Sequence, residues 1–125
     1  MKNKNHRKAG SRKRDKTILK PWGGYEILEK KPCHWIKKLF VRKGEELSLQ
    51  SHKNRREIWI VLSGKIEAVK GSSRLEMKEG DLVEIGRKEK HRIIGIKTSQ
   101  ILEITFGKAR EKDIIRFKDD YGRIK

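Results

Sequence analysis

Hydrophobic and polar residues alternate along most of this chain, in short runs separated by glycines and polar turns. Leu47, Leu49 and Ser51 alternate with Ser48, Gln50 and His52. Lys37, Leu39 and Val41 share one face of a run in which Lys38 and Phe40 take the other. A period of two is strand periodicity, with residues i and i+2 on the same face. It predicts strands over 25–28, 35–41, 47–52, 57–62, 65–69, 74–78, 81–85, 91–96 and 100–106. Turn signals stand between them: Pro21-Trp-Gly-Gly24, Arg42-Lys-Gly-Glu45, Lys53-Asn-Arg-Arg56, Ser63-Gly64, Gly71-Ser-Ser73, Glu79-Gly80 and Lys97-Thr-Ser99. Residues 111–117 fit either one helical turn or a last strand. No long segment has helical period. Many short strands with regular turns predict an all-β sandwich or barrel.

Composition narrows the picture. A chain of 125 residues makes at most one domain, and with 34% hydrophobic residues its core must be small. Cys33 is the single cysteine, so no internal disulfide can form and a reducing, cytoplasmic setting fits. The longest apolar run, Ile58-Trp-Ile-Val-Leu62, is far too short to span a membrane. Basic residues at the N-terminus have no apolar segment after them, which is not a secretory signal. Net charge is +17. Residues 1–16 hold eight Lys or Arg against Asp15 alone, and read as a disordered basic tail before a single domain over 17–125. The domain carries the rest of the excess, and such a surface attracts polyanions and phosphorylated small molecules alike.

Candidate chemistry gathers in two stretches. Gln50 and His52 project side by side from one strand, and Glu57 opens the next. An amide oxygen, an imidazole and a carboxylate are ligand types that a divalent metal takes. Of the other histidines, only His91 lies in a comparable glycine-bounded β segment, which makes it the fourth candidate ligand. Read as Gly44-x5-Gln50-x-His52-x4-Glu57-x6-Gly64, the first stretch resembles the first cupin motif, with Gln50 in place of its first His. Gly80-x5-Gly86-x-Lys88-x2-His91-x3-Gly95 resembles the second, with Gly86 for Pro, Lys88 for Gly and Gly95 for Asn.

Further blocks point to one cupin family. Pro21-Trp-Gly23, Leu47-Ser-Leu-Gln-Ser-His52, Arg55, Glu57, Trp59, His91-Arg92 and Asp120-Tyr-Gly-Arg123 resemble the cupin domain of type II mannose-6-phosphate isomerases, over roughly residues 18 to 124. Asn54 stands where relatives often carry a second His. The resemblance implies a cupin double-stranded β-helix, a jelly-roll barrel. It implies a metal-dependent aldose–ketose isomerase that interconverts mannose 6-phosphate and fructose 6-phosphate. The metal ligands would be Gln50, His52, Glu57 and His91, with Zn²⁺ the first choice and Mn²⁺, Fe²⁺ or Ni²⁺ accepting similar ligands. Glu103 is the candidate base and Arg123 a candidate catalytic cation. Lys37, Arg55, Arg92 and Arg116 are the candidate phosphate-binding cations. A homodimer is expected by family analogy. Relatives often fuse this cupin to a nucleotidyltransferase; this sequence has no Gly-rich nucleotide loop, so guanylyltransferase activity is not expected of it. Two other functions stay open. One is a non-catalytic cupin that binds a sugar or metal. The other is a basic nucleic-acid-binding β-domain using the tail, although few aromatics lie among its basic residues as stacking platforms.

Overall fold

The computed structural model describes residues 17–107 and 114–118. Eleven strands are described: β1 (Thr17–Lys20), β2 (Gly23–Lys30), β3 (His34–Val41), β4 (Leu49–His52), β5 (Arg55–Ser63), β6 (Lys65–Lys70), β7 (Ser73–Lys78), β8 (Leu82–Ile85), β9 (His91–Gly95), β10 (Ser99–Gly107) and β11 (Ile114–Lys118). They form two antiparallel sheets. One has the order β1-β2-β3-β10-β5-β8 and the other β11-β4-β9-β6-β7. This is the expected all-β jelly roll. The nine strands read from alternation are all present, with ends shifted by up to two residues. β11 resolves the ambiguous segment as a strand from Ile114 onward; residues 111–113 lie outside the described residues, as do 1–16 and Arg123.

Two differences from the pattern of alternation matter. β1 is not predicted by it, because Thr17–Lys20 is mostly exposed and shows no alternation of burial. Its strand character comes from pairing with β2, Ile18 opposite Tyr25 and Lys20 opposite Gly23. The polar segment read as a turn over 53–56 is also shorter than expected. β10 pairs with β5 as far as Gly107 opposite Arg55, so the ladder draws Arg55 and Arg56 into the strand. Alternation then aims Arg55, Glu57, Trp59 and Val61 inward and leaves Arg56 outside.

The sheets bury Leu39, Val41, Trp59, Val61, Val83, Ile85 and Ile101 from one side against Ile66, Ala68, Met77 and Ile93 from the other, with Trp22 completing the cluster. Gly23 is required where β2 crosses β3. Its φ is +153°, and a Cβ there would lie 1.8 Å from the Phe40 carbonyl oxygen. The same inner face turns polar toward the other end of β3, β10 and β5. Lys37, Glu103, Thr105, Glu57 and Arg55 are buried there. Buried charge of this density is not how a sheet core gains stability; it marks the site.

Candidate metal centre and its cavity

β4, β5 and β9 carry the proposed ligands. Gln50 pairs with His91 across β4 and β9. His52 ends β4, and the two-residue turn after it returns the chain so that Glu57 faces it from the other sheet. His52, Glu57 and His91 are all buried, and one ligand atom from each lies within 4.8 Å of the others. The His52 Nε2–Glu57 Oε2 distance is 3.2 Å, and His91 Nε2–Glu57 Oε1 is 3.9 Å.

Three observations show that these side chains fit a divalent metal. His91 Nδ1 lies 2.9 Å from the Glu89 carbonyl oxygen, which can only accept, so Nδ1 carries the hydrogen and Nε2 presents its lone pair to the cluster. Burial holds the His91 pKa below its ordinary value, against the pull of Glu57, which favours the neutral, ligating form. Glu57 Oε2 is buried and accepts no hydrogen bond among the described residues, while Oε1 accepts one from Trp59 Nε1 at 2.9 Å. Burial alone would raise the Glu57 carboxyl. Contact with His52, the nearby His91 ring and the charge of the Arg55 guanidinium outweigh it and hold the group well below the usual carboxylate range. The site therefore offers a neutral His91 nitrogen and an ionised carboxylate, with the His52 imidazole beside them. Gln50 is half-buried beside them, its amide nitrogen donating to Ser48 Oγ at 2.6 Å.

Next to the cluster is a cavity of about 70 Å³. Lys37, Gln50, Arg55, Glu103 and Arg116 line its polar side, and Trp22, Leu39 and Leu47 its apolar side. Glu103 faces Lys37 on one neighbour strand and Trp59 on the other. Burial and then the charge of Glu57 push its carboxyl up to about 8, with Lys37 and Arg55 opposing. Lys37 lies over the Tyr25 ring at 4.4 Å. Arg55 Nε and Nη1 and Arg116 Nε are buried and donate to no described residue.

The structure thus brings together Gln50, His52, Glu57 and His91, and beside them Lys37, Arg55, Glu103 and Arg116. It places Arg92 elsewhere: its Nε donates to the Leu47 carbonyl oxygen at 2.8 Å, its Nη1 is 3.3 Å from Glu46, and it does not line the cavity. Arg123 lies outside the described residues. Trp59 and Tyr25 are site residues to which the sequence pattern assigns no role. Trp59 was legible, since it stands two positions after Glu57 on one strand. Tyr25 was not, because its place depends on β2 pairing with β3.

The motif departures also have local reasons. Lys88 has φ +64°, the left-handed conformation that the motif glycine would supply. Gly86 N–H donates to Glu89 Oε1 at 2.9 Å, a bond that proline could not make. A Cβ on Gly95 would lie 2.6 Å from the Arg42 carbonyl oxygen, so an asparagine does not fit there.

Comparison with known proteins agrees with this architecture. Residues 5–119 match the family described as mannose-6-phosphate isomerase C-terminal. The xanthan biosynthesis protein XanB of Xanthomonas campestris is 34% identical over 111 residues, 86% of this chain and 24% of that protein. A mannose-1-phosphate guanylyltransferase of Escherichia coli is 31% identical over 114 residues, 89% of this chain and 24% of that one. The chain therefore spans about a quarter of the length of these relatives. Among solved structures, an RmlC-like cupin from Shewanella frigidimarina superposes with a TM-score of 0.69 at 20% identity, over 78% of this chain and 86% of that one. A nucleoside dehydratase from Streptomyces superposes at 0.74 and 12% identity, over 83% and 85%. Among the described residues no helix is long and apolar enough to cross a membrane. With the cupin fold, the family blocks and the matched region in agreement, the chain belongs to the mannose-6-phosphate isomerase C-terminal family, as a cupin domain of the type II kind.

Proposed function

We propose that this domain is a metal-dependent aldose–ketose isomerase acting on mannose 6-phosphate and fructose 6-phosphate. The observation that carries the reading is one juxtaposition: the His52–Glu57–His91 cluster lies beside a cavity walled by guanidinium N–H groups with no acceptor among the described residues and by a carboxyl of raised pKa. The family to which the chain belongs supports the substrate class.

Gln50, His52, Glu57 and His91 would hold the metal, Zn²⁺ first. When bound, it supplies Lewis-acid stabilisation of negative charge on the sugar's C1 and C2 oxygens. Arg55, Arg116 and Lys37 bind and orient the phosphate, the two guanidiniums offering forked N–H donors. Glu103 moves the proton. In its ionised form it takes the hydrogen of C2 as a proton; the C–H pair forms the C1=C2 bond while the C1=O π pair moves to O1. On collapse the O2 pair forms the C2=O bond while the C1=C2 pair takes the proton back from the same carboxyl at C1. The O2 hydroxyl proton passes to O1, so aldose becomes ketose with no external oxidant or reductant. A carboxyl near pKa 8 is a stronger base than an ordinary glutamate, at the expense of its ionised fraction at pH 7. Exposed Leu19 on β1 and Leu82 on β8, the two edges of the six-stranded sheet, support the homodimer as part of the same proposal; sedimentation tests it.

A steady-state assay on mannose 6-phosphate, with and without chelator, tests the activity. Turnover that is lost with EDTA and restored by metal is expected. Elemental analysis beside a His52→Ala, His91→Ala double variant should show the metal lost. Bound metal and an intact fold without turnover on any hexose phosphate would overturn the isomerase and favour a non-catalytic cupin.

A further inference from the structure

Arg55 stands between the ligand cluster and the cavity. It lines the cavity, whereas His52, Glu57 and His91 do not. Its Nη2 lies 2.9 Å from His52 Nε2 and 3.1 Å from Glu57 Oε2. His52 Nε2 also lies 3.2 Å from Glu57 Oε2, but that oxygen accepts no hydrogen bond among the described residues; a guanidinium has donors only, so in the 2.9 Å contact His52 Nε2 is the acceptor. An imidazole nitrogen has one lone pair, and it is the same lone pair that ligates a metal. Arg55 bonding and metal ligation at His52 Nε2 are therefore mutually exclusive. The other side of the guanidinium is unfinished: Nε and Nη1 are buried with no described acceptor, in a cavity that Arg116 and Lys37 share. Donors in that state are expensive to leave unmade, and a tetrahedral oxyanion would satisfy them.

We infer that Arg55 is a two-position side chain that couples the metal site to the anion site. In one position it occupies the lone pair of His52 and closes the cluster off from the cavity. In the other it leaves His52 and Glu57 to the metal and turns all its donors to an oxyanion held with Arg116 and Lys37. The inference rests on the metal centre proposed above and adds that metal and anion bind cooperatively. Arg55 acts here as a positioning residue for both ligands. Coupling is reciprocal: if anion tightens metal by some factor, metal tightens anion by the same factor.

The test titrates the protein with Mn²⁺, following the electron paramagnetic resonance signal of the unbound ion, with and without saturating inorganic sulfate at constant ionic strength. Sulfate is the probe because it is tetrahedral and complexes Mn²⁺ weakly. In the wild type, sulfate should tighten Mn²⁺ by about fivefold or more, and Mn²⁺ should tighten sulfate equally. In Arg55→Gln, Mn²⁺ should bind without sulfate at least as tightly as to the wild type, and the linkage should fall below about twofold. Arg116→Gln should weaken sulfate while Arg55 still couples what binds. A wild-type linkage below twofold overturns the inference; so does Arg55→Gln that keeps the full linkage or binds Mn²⁺ more weakly. If Arg55→Gln does not fold, the wild-type linkage and its reciprocity decide alone. Absence of any Mn²⁺ binding overturns the metal centre itself, whereas binding without sulfate linkage overturns the coupling only.

Discussion

Replacing Glu103 by Gln should remove a pH dependence from the stability of the chelated protein. Glu103 is buried, and its carboxyl is pushed up to about 8 from an ordinary 4.5, by burial first and by Glu57 second. The unfolded chain releases this proton near pH 4.5, while the folded protein keeps it to about pH 8. Across that window the native state binds more protons than the unfolded state, so stability falls as pH rises. The contribution is full below pH 4.5 and lost by the time pH passes 8. A tenfold change in proton affinity is worth about 1.4 kcal/mol, so the ceiling is on the order of 5 kcal/mol. Part of this is shared with Glu57, whose negative charge is one of its causes, so a fall of roughly 2 to 4 kcal/mol is the expected range. Gln has nearly the same shape and no proton to lose. Urea melts of wild type and Glu103→Gln at pH 5, 6, 7 and 8, in EDTA at fixed ionic strength, provide the two curves. The difference between them cancels His91 and the surface groups. Wild-type stability should decline relative to the variant with each step, and metal loading should shrink that decline by neutralising Glu57. A difference that stays flat to within about 0.5 kcal/mol from pH 5 to 8 would refute the argument, and with it the assignment of Glu103 as a raised-pKa base.

Three further outcomes follow from individual contacts. Lys88→Gly should stabilise the domain by about 0.5 to 1 kcal/mol in denaturant melts, because it relieves a left-handed non-glycine residue at some cost in chain entropy. Gly95→Asn, although it restores the family pattern, should destabilise by roughly 2 kcal/mol or more, since its Cβ would meet the Arg42 backbone oxygen at 2.6 Å. Trp59→Phe keeps the ring in the core but removes the donor to Glu57 Oε1. It should cost about 1.5 to 3 kcal/mol of stability and weaken metal binding measured by Mn²⁺ titration, while unchanged metal affinity would show that Trp59 does not position the carboxylate.

The fold was legible wherever burial is one-sided. Lys37, Leu39 and Val41 share one face of β3 by alternation alone, and all three are buried. The gathering of the candidate ligands was legible for a related reason: spacing of two on a strand fixes a common face, and a short turn fixes the neighbour. The misreadings lie where pairing between distant segments overrides local chemistry. Lys53-Asn-Arg-Arg56 has the polarity of a turn, yet Gly107 and Phe106 draw its second half into β5. That extension turns Arg55 inward. A residue read from the family as a phosphate ligand is thereby also in contact with His52 and Glu57, which no local pattern could show. The exclusion of Arg92 from the cavity is equally long-range, set by the Leu47 carbonyl oxygen forty-five positions earlier.

The segment between β8 and β9 shows how a motif can change its residues and keep its geometry. Lys88 holds the left-handed turn that a glycine would hold with less strain. Its N–H donates to the His52 carbonyl oxygen at 2.7 Å, tying this turn to the end of β4. Glu89 then serves three groups: its Oε1 accepts from Gly86 N–H, it packs near Gly71, and its backbone oxygen accepts from His91 Nδ1–H. Gly86, Lys88 and Glu89 together therefore fix the end of the His52 strand and the tautomer of His91. Substituting proline at position 86 would rigidify φ but remove the donor that holds the Glu89 side chain, and with it one restraint on His91. The departures Gly86 and Lys88 are thus one compensated unit, in which the Gly86–Glu89 bond replaces the stiffness of proline. They leave the two imidazoles tilted 36° to each other with centroids 5.0 Å apart, in a cluster with Glu57 that could hold one ion.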